Sequence, residues 1–146
     1  MIAIDTNVLV YAHRAEFGQH RPAMKAVTEL AEGAVAWALP VFVLTEFLRV
    51  VTHPRLLDPP SPLAVAVETL EALLGSPSVR VLRPERRFWS ILTGCVTDAR
   101  ARGNLIYDAQ IAAVCLEHGA ETILTSDRDF RRFEGITVKP LQTGSD

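Results

Sequence analysis

The sequence predicts a doubly wound α/β fold, a mainly parallel sheet covered by helices on both faces. Two observations carry this. Short apolar runs ("IAI", "AWALP", "VRVL", "ETILT") alternate with longer segments of helical periodicity, the pattern of strand–helix–strand crossovers. The runs are continuously apolar, as strands buried on both faces are. The 146 residues, 49% hydrophobic and 22% charged, suffice for one domain with a real core. That domain is expected over residues 1–141, with a frayed tail at 142–146.

Met1 to Ile4 read as the first strand, followed by a helix from Asn7 to about Arg14. A second helix fits from about Arg21, with Pro22 in its first turn, to Gly33. "AWALP" is strand two, and "VFVLTEFLRVVTH" a helix that is apolar apart from Thr45, Glu46 and Arg49. "HPRLLDPPSP" is a proline-rich connector. A helix capped by Ser61 then runs to Gly75, and "VRVL" is strand three. Two helices follow, about Glu85–Arg102 and Asn104–Gly119. "ETILT" is strand four, "SDRDFRRF" a turn with a short helix, and "ITVKP" an edge strand.

Composition excludes several classes. The net charge of −2 gives no polybasic sign of nucleic-acid or membrane binding. The positive charge is nearly all arginine, with Lys25 and Lys139 the only lysines. Cys95 and Cys115 lie inside helical patterns without CxxC spacing. They read as small core residues of a reduced protein, and zinc is not expected. Asp5 breaks the opening apolar run and no basic segment precedes it, so no signal peptide is expected. The reading is a soluble cytoplasmic protein. No GxGxxG follows a strand, and Gly33, Gly75 and Gly119 suit helix C-terminal caps instead.

The acids carry the chemistry. In sheets of this kind ligands bind beyond the carboxyl ends of the strands, where Asp5 and Asp127 fall. Asp5 is equally readable as a helix cap. Asp108 shares a helix face with Leu105, Ala112 and Cys115, so it lies in an apolar stripe. There it must be paired, with an arginine such as Arg100 or Arg102, or protonated, or bound to a cation. Its early place in the helix favours the ionised form. Glu46, with Thr45 and Arg49, reads alone as a solvated face. A capped turn accounts for one of Asp127 and Asp129 but not both. Four carboxylates brought together would repel unless a divalent cation sat among them. An all-oxygen set suits Mg²⁺ or Mn²⁺ rather than zinc, and such ions serve phosphate chemistry.

"IDTNVLVYA", "LTEFLRV", "YDAQIAA" and "LTSDRDF", in this order, resemble the PIN-domain ribonucleases, most closely the VapC-type toxins of toxin–antitoxin systems. The resemblance implies an acidic quartet of Asp5, Glu46, Asp108 and Asp127, serving as catalytic residues and metal ligands, with Asp5 and Asp108 the surest ligands. Thr6 and Asn7 would support Asp5 or a water at the ion, and Asp129 matches a more variable supporting position. It further implies Mg²⁺-dependent hydrolysis of single-stranded RNA, with Mn²⁺ able to substitute, a homodimer, and inhibition by a small antitoxin protein. Arg80, Arg83, Arg86, Arg87, Arg128, Arg131 and Arg132 are candidates for meeting the RNA backbone. Two other readings remain: a non-cleaving RNA-binding scaffold of the same fold, and a receiver-like phospho-acceptor domain. The latter is suggested by "VKP" at Lys139–Pro140, although Asp58 sits in the connector rather than at a strand end.

Overall fold

The computed structural model describes residues 1–142; the tail expected to fray lies, from residue 143 on, outside the described residues. The elements run β1 (Ile2–Ile4), α1 (Thr6–His13), α2 (His20–Glu32), β2 (Trp37–Pro40), α3 (Val41–Val51) and α4 (Leu63–Leu74). They continue as β3 (Val79–Leu82), α5 (Phe88–Asp98), α6 (Leu105–Glu117), β4 (Thr122–Leu124), a 3₁₀ turn (Arg128–Arg132) and β5 (Thr137–Lys139). The five strands are ordered β3-β2-β1-β4-β5, and every pairing is parallel. The chain winds outward from β1 to β3 and then returns to the far side of β1. Direction therefore reverses between β1 and β4, where open parallel sheets bind ligands. The receiver-like reading fails here, because that fold orders its strands 2-1-3-4-5.

Helices α1–α4 pack as one group, α1 on α2 and α3 and α3 on α4, while α5, α6 and the 3₁₀ turn pack as another. Trp37, Phe47, Phe130, Ile4, Leu39 and Ile123 are fully buried between these layers. Each contributes about 1.5–3 kcal/mol by leaving water. On α3 the buried residues are Val43, Phe47 and Val51, one face at helical spacing. That leaves Glu46 half-buried at the rim. Cys115 is buried and Cys95 half-buried, both as free thiols. No helix among the described residues is long and apolar enough to cross a membrane.

Two element expectations are corrected. Ser61 does not cap α4, which starts at Leu63 behind Pro62 with no side-chain cap bond. Its hydroxyl is turned inward, 2.9 Å from His13 Nε2, and accepts from Arg14 Nη1 at 3.1 Å. It pins the proline-rich connector to the end of α1 instead. Helix α5 is shorter than its periodicity suggested. The backbone N–H groups of Glu85 and Arg87 each donate to the Glu117 carboxylate at 2.8 Å, holding that stretch outside the helix. At the other end Arg100 takes φ 51°, and the Ala101 N–H closes back onto the Val96 carbonyl at 2.9 Å. Gly119 follows α6 with φ +74°, the left-handed turn that glycine enters without strain.

Candidate active site

All strands point their carboxyl ends the same way, so residues just beyond them gather at one edge of the sheet. Asp5 directly follows β1, and its N–H donates to the Leu124 carbonyl at 3.0 Å, extending the β1–β4 ladder by one step. Its backbone is extended (φ −82°, ψ 160°) and it caps α1. The Thr6 N–H donates to Oδ1 at 2.7 Å. The Thr125 hydroxyl donates to Oδ2 at 2.7 Å. The helix cap weighed from sequence is therefore present, and it uses only one of the two oxygens.

Thr125 is the residue the sequence reading missed. It is fully buried, and Ile4 pairs with Leu124, so Thr125 stands opposite Asp5 across the ladder. Besides donating to Asp5, its oxygen accepts from the Asp127 N–H at 3.0 Å and from Asn7 Nδ2 at 3.4 Å. One hydroxyl thus fixes two acids and an amide. The available signal was positional: a polar residue ends the buried run "ETILT" as Asp5 ends "IAI". Asn7 also accepts from the Ser126 N–H at 3.4 Å. Thr6 contributes its backbone, while its buried hydroxyl has no hydrogen-bond partner among the described residues.

Asp127 caps the 3₁₀ turn, accepting from the Asp129 N–H at 2.8 Å. Asp108 lies in the first turn of α6, half-buried. Neither Arg100 nor Arg102 pairs with it; the ion pairs among the described residues are Arg14–Glu16 and His118–Glu85. Oxygens of Asp108, Asp127 and Asp129 all lie within 4.8 Å of one another. The tight group therefore contains Asp129, given only a supporting place from sequence, while Asp5 and Glu46 stand just outside it. Both outer acids still act on the centre, because α3 packs against α6 and their charges reach Asp108.

The electrostatics follow from this crowding. Burial, then the charges of Asp127, Asp5, Glu46 and Asp129, push the Asp108 carboxyl up to about 7. The helix dipole expected to favour its ionised form is outweighed. Burial pushes Asp5 up to about 6, opposed by the hydrogen bonds from Thr125 and Thr6. Five carboxylates converge with no Lys, Arg or His paired to any of them among the described residues. An all-oxygen donor set with uncompensated charge fits a hard divalent cation, held by Asp108, Asp127 and Asp129 with Asp5 and Glu46 beside them.

The arginines divide. Arg87 and Arg132 are tied to the carbonyls of Glu117 and Ala99 at 2.9 Å each, and Arg80 to that of Val79 at 3.0 Å. Arg83, Arg86, Arg128 and Arg131 are exposed, and the last two belong to the 3₁₀ turn that Asp127 caps.

The PIN domain family model matches residues 2–136. The chain belongs to that family. Within it, the chain is 41% identical over 136 residues to VapC ribonuclease Mb2897 of Mycobacterium bovis, spanning 93% of this chain and 92% of the relative. It is 38% identical over 140 residues to Ribonuclease VapC48 of Mycobacterium tuberculosis, spanning 96% and 97%. The fold is shared with VapBC2 from Rickettsia felis, solved bound to a DNA fragment from their promoter. There the TM-score is 0.72 at 18% identity, over 97% of this chain and 100% of that one.

Proposed function

We propose that this chain is a Mg²⁺-dependent endoribonuclease that hydrolyses single-stranded RNA, and the toxin of a cytoplasmic toxin–antitoxin pair. Residues 1–141 act as one nuclease unit, and Mn²⁺ substitutes for Mg²⁺. The observation that carries this is the convergence of Asp108, Asp127 and Asp129 oxygens within 4.8 Å, backed by Asp5 and Glu46. A bound divalent cation would neutralise the cluster and polarise a phosphoryl oxygen. The protein supplies order. Thr125 and Thr6 lock Asp5, the 3₁₀ turn locks Asp127, and Asn7 ties α1 to the segment after β4. Asp5 and Asp127 are therefore already oriented when the phosphodiester arrives.

Two partners follow from the same reading. Helix α5 has no fully buried residue and exposes Trp89, an apolar face suited to a second copy of the chain. The uncompensated acids suit a basic segment of an inhibitory antitoxin. The direct test is cleavage of single-stranded RNA by the purified protein. Activity is expected with Mg²⁺ or Mn²⁺, to stop on chelation and to return on adding back the ion. Undiminished cleavage in excess EDTA, by a preparation free of contaminating ribonuclease, would refute the metal-dependent reading.

A further inference from the structure

We propose that the groove between α2 and the β5 edge is the track that holds the RNA strand flanking the cut. The proposal rests on the nuclease reading and adds the path of the substrate. The groove encloses about 1020 Å³, as large as the larger small-molecule sites. Arg21, Lys25, Glu29 and Leu30 line it from α2, and Lys139 and Leu141 line it from β5 and beyond. Arg21, Lys25 and Glu29 recur every four residues, so they share one helix face.

The charge here is opposite to that of the rest of the site. The chain is net −2 and has two lysines, and both line this groove with Arg21 against a single acid, Glu29. None of the three cations is in an ion pair among the described residues. Cations over an apolar floor match a single strand, whose phosphates are anionic and whose base faces are apolar. None of the five acids lines the groove, but its β5 edge adjoins the residue that supports them. The Lys139 carbonyl accepts from the Thr125 N–H at 3.1 Å, and the Thr125 hydroxyl holds Asp5. A strand leaving the acid cluster along this edge would enter the groove. An acidic peptide would match the cations but would have no reason to approach the acids.

The test uses the full chain, with Arg21, Lys25 and Lys139 all changed to Ala, and two labelled RNAs. One spans only the cut; the other is long enough to fill the groove. For the long RNA, KM is expected to rise about tenfold with kcat unchanged, while the short RNA is cut as before. Binding of the long RNA, measured on the Asp108→Asn background, should lose about 2 from its log–log salt slope, roughly 0.7 per phosphate contact. Glu29→Lys should tighten it. All three substituted residues are exposed, so an unchanged melting temperature is expected. Unchanged affinity and salt slope for the long RNA would overturn the proposal. Equal weakening of both RNAs would too, as would RNA affinity kept while binding of an acidic peptide is lost. If the parent protein cuts no RNA, the nuclease reading fails, and the binding measurements still decide the groove.

Discussion

Asp108→Asn is expected to abolish RNA cleavage and, without metal, to leave the protein more stable than the parent at about pH 8. Losing one such electrostatic group costs at least about 10²-fold in rate. The stability gain has a definite sign. The Asp108 carboxyl is pushed from 3.8 to about 7 in the folded protein. Between those values the folded state holds a proton that the unfolded chain has released. Stability from this group is therefore complete below its ordinary value and is lost as pH rises through about 7. Asn removes the loss, so melting temperatures of parent and variant should agree near about pH 4 and diverge toward about pH 8. Burial lowers His13, which works in the opposite direction with pH, but His13 is common to both proteins and cancels in the difference. A structural ion pair at Asp108 would instead cost about 3–5 kcal/mol on substitution. Asp5→Ala should behave differently. It also loses cleavage, but it strands the Thr125 hydroxyl and the Thr6 N–H, a cost of about 1–3 kcal/mol.

Expression of the chain alone is expected to arrest growth, and co-expression of its upstream neighbour to relieve the arrest by direct binding. A nuclease whose acids lie open to any divalent cation acts on the host's own RNA, so its activity needs restraint. The acids offer the means. An arginine or lysine from a partner, placed among Asp5, Glu46, Asp108, Asp127 and Asp129, would satisfy carboxylates that have no cationic partner among the described residues. It would displace the cation and block the phosphate together. Changing that basic residue of the partner to alanine should reduce its inhibitory potency. Unimpaired growth on strong expression of soluble, RNA-cutting protein would count against the toxin role and leave the nuclease intact.

The fold was legible because its strands are unbroken apolar runs and its helices keep one apolar face, as Val43, Phe47 and Val51 do on α3. What the sequence concealed was long-range and polar. Ser61 has the composition of a cap, yet His13 and Arg14, distant in sequence, recruit its hydroxyl. Glu117 looks like any acid on an amphipathic helix, yet it gathers the backbone before α5. Periodicity sees neither, because a hydrogen bond across the fold leaves no local spacing. The acids were found at strand tips and on an apolar helix face, but their grouping was not. Asp129 joins Asp108 and Asp127 because the 3₁₀ turn folds back under the Asp127 cap. Asp5 is drawn aside by Thr125, which shares no sequence neighbourhood with it. The two lysines gave no local signal either, since their common groove exists only once α2 and the end of β5 face each other across it.

The most direct measurement is Mn²⁺ binding to metal-free protein, followed by electron paramagnetic resonance at about pH 8, above the raised values of Asp5 and Asp108. The parent is expected to bind saturably, with a rise in melting temperature that follows occupancy, and Asp108→Asn to lose both. Equal Mn²⁺ binding by parent and Asp108→Asn, or no binding by the parent while it still cuts RNA, would contradict a metal centre built on these acids.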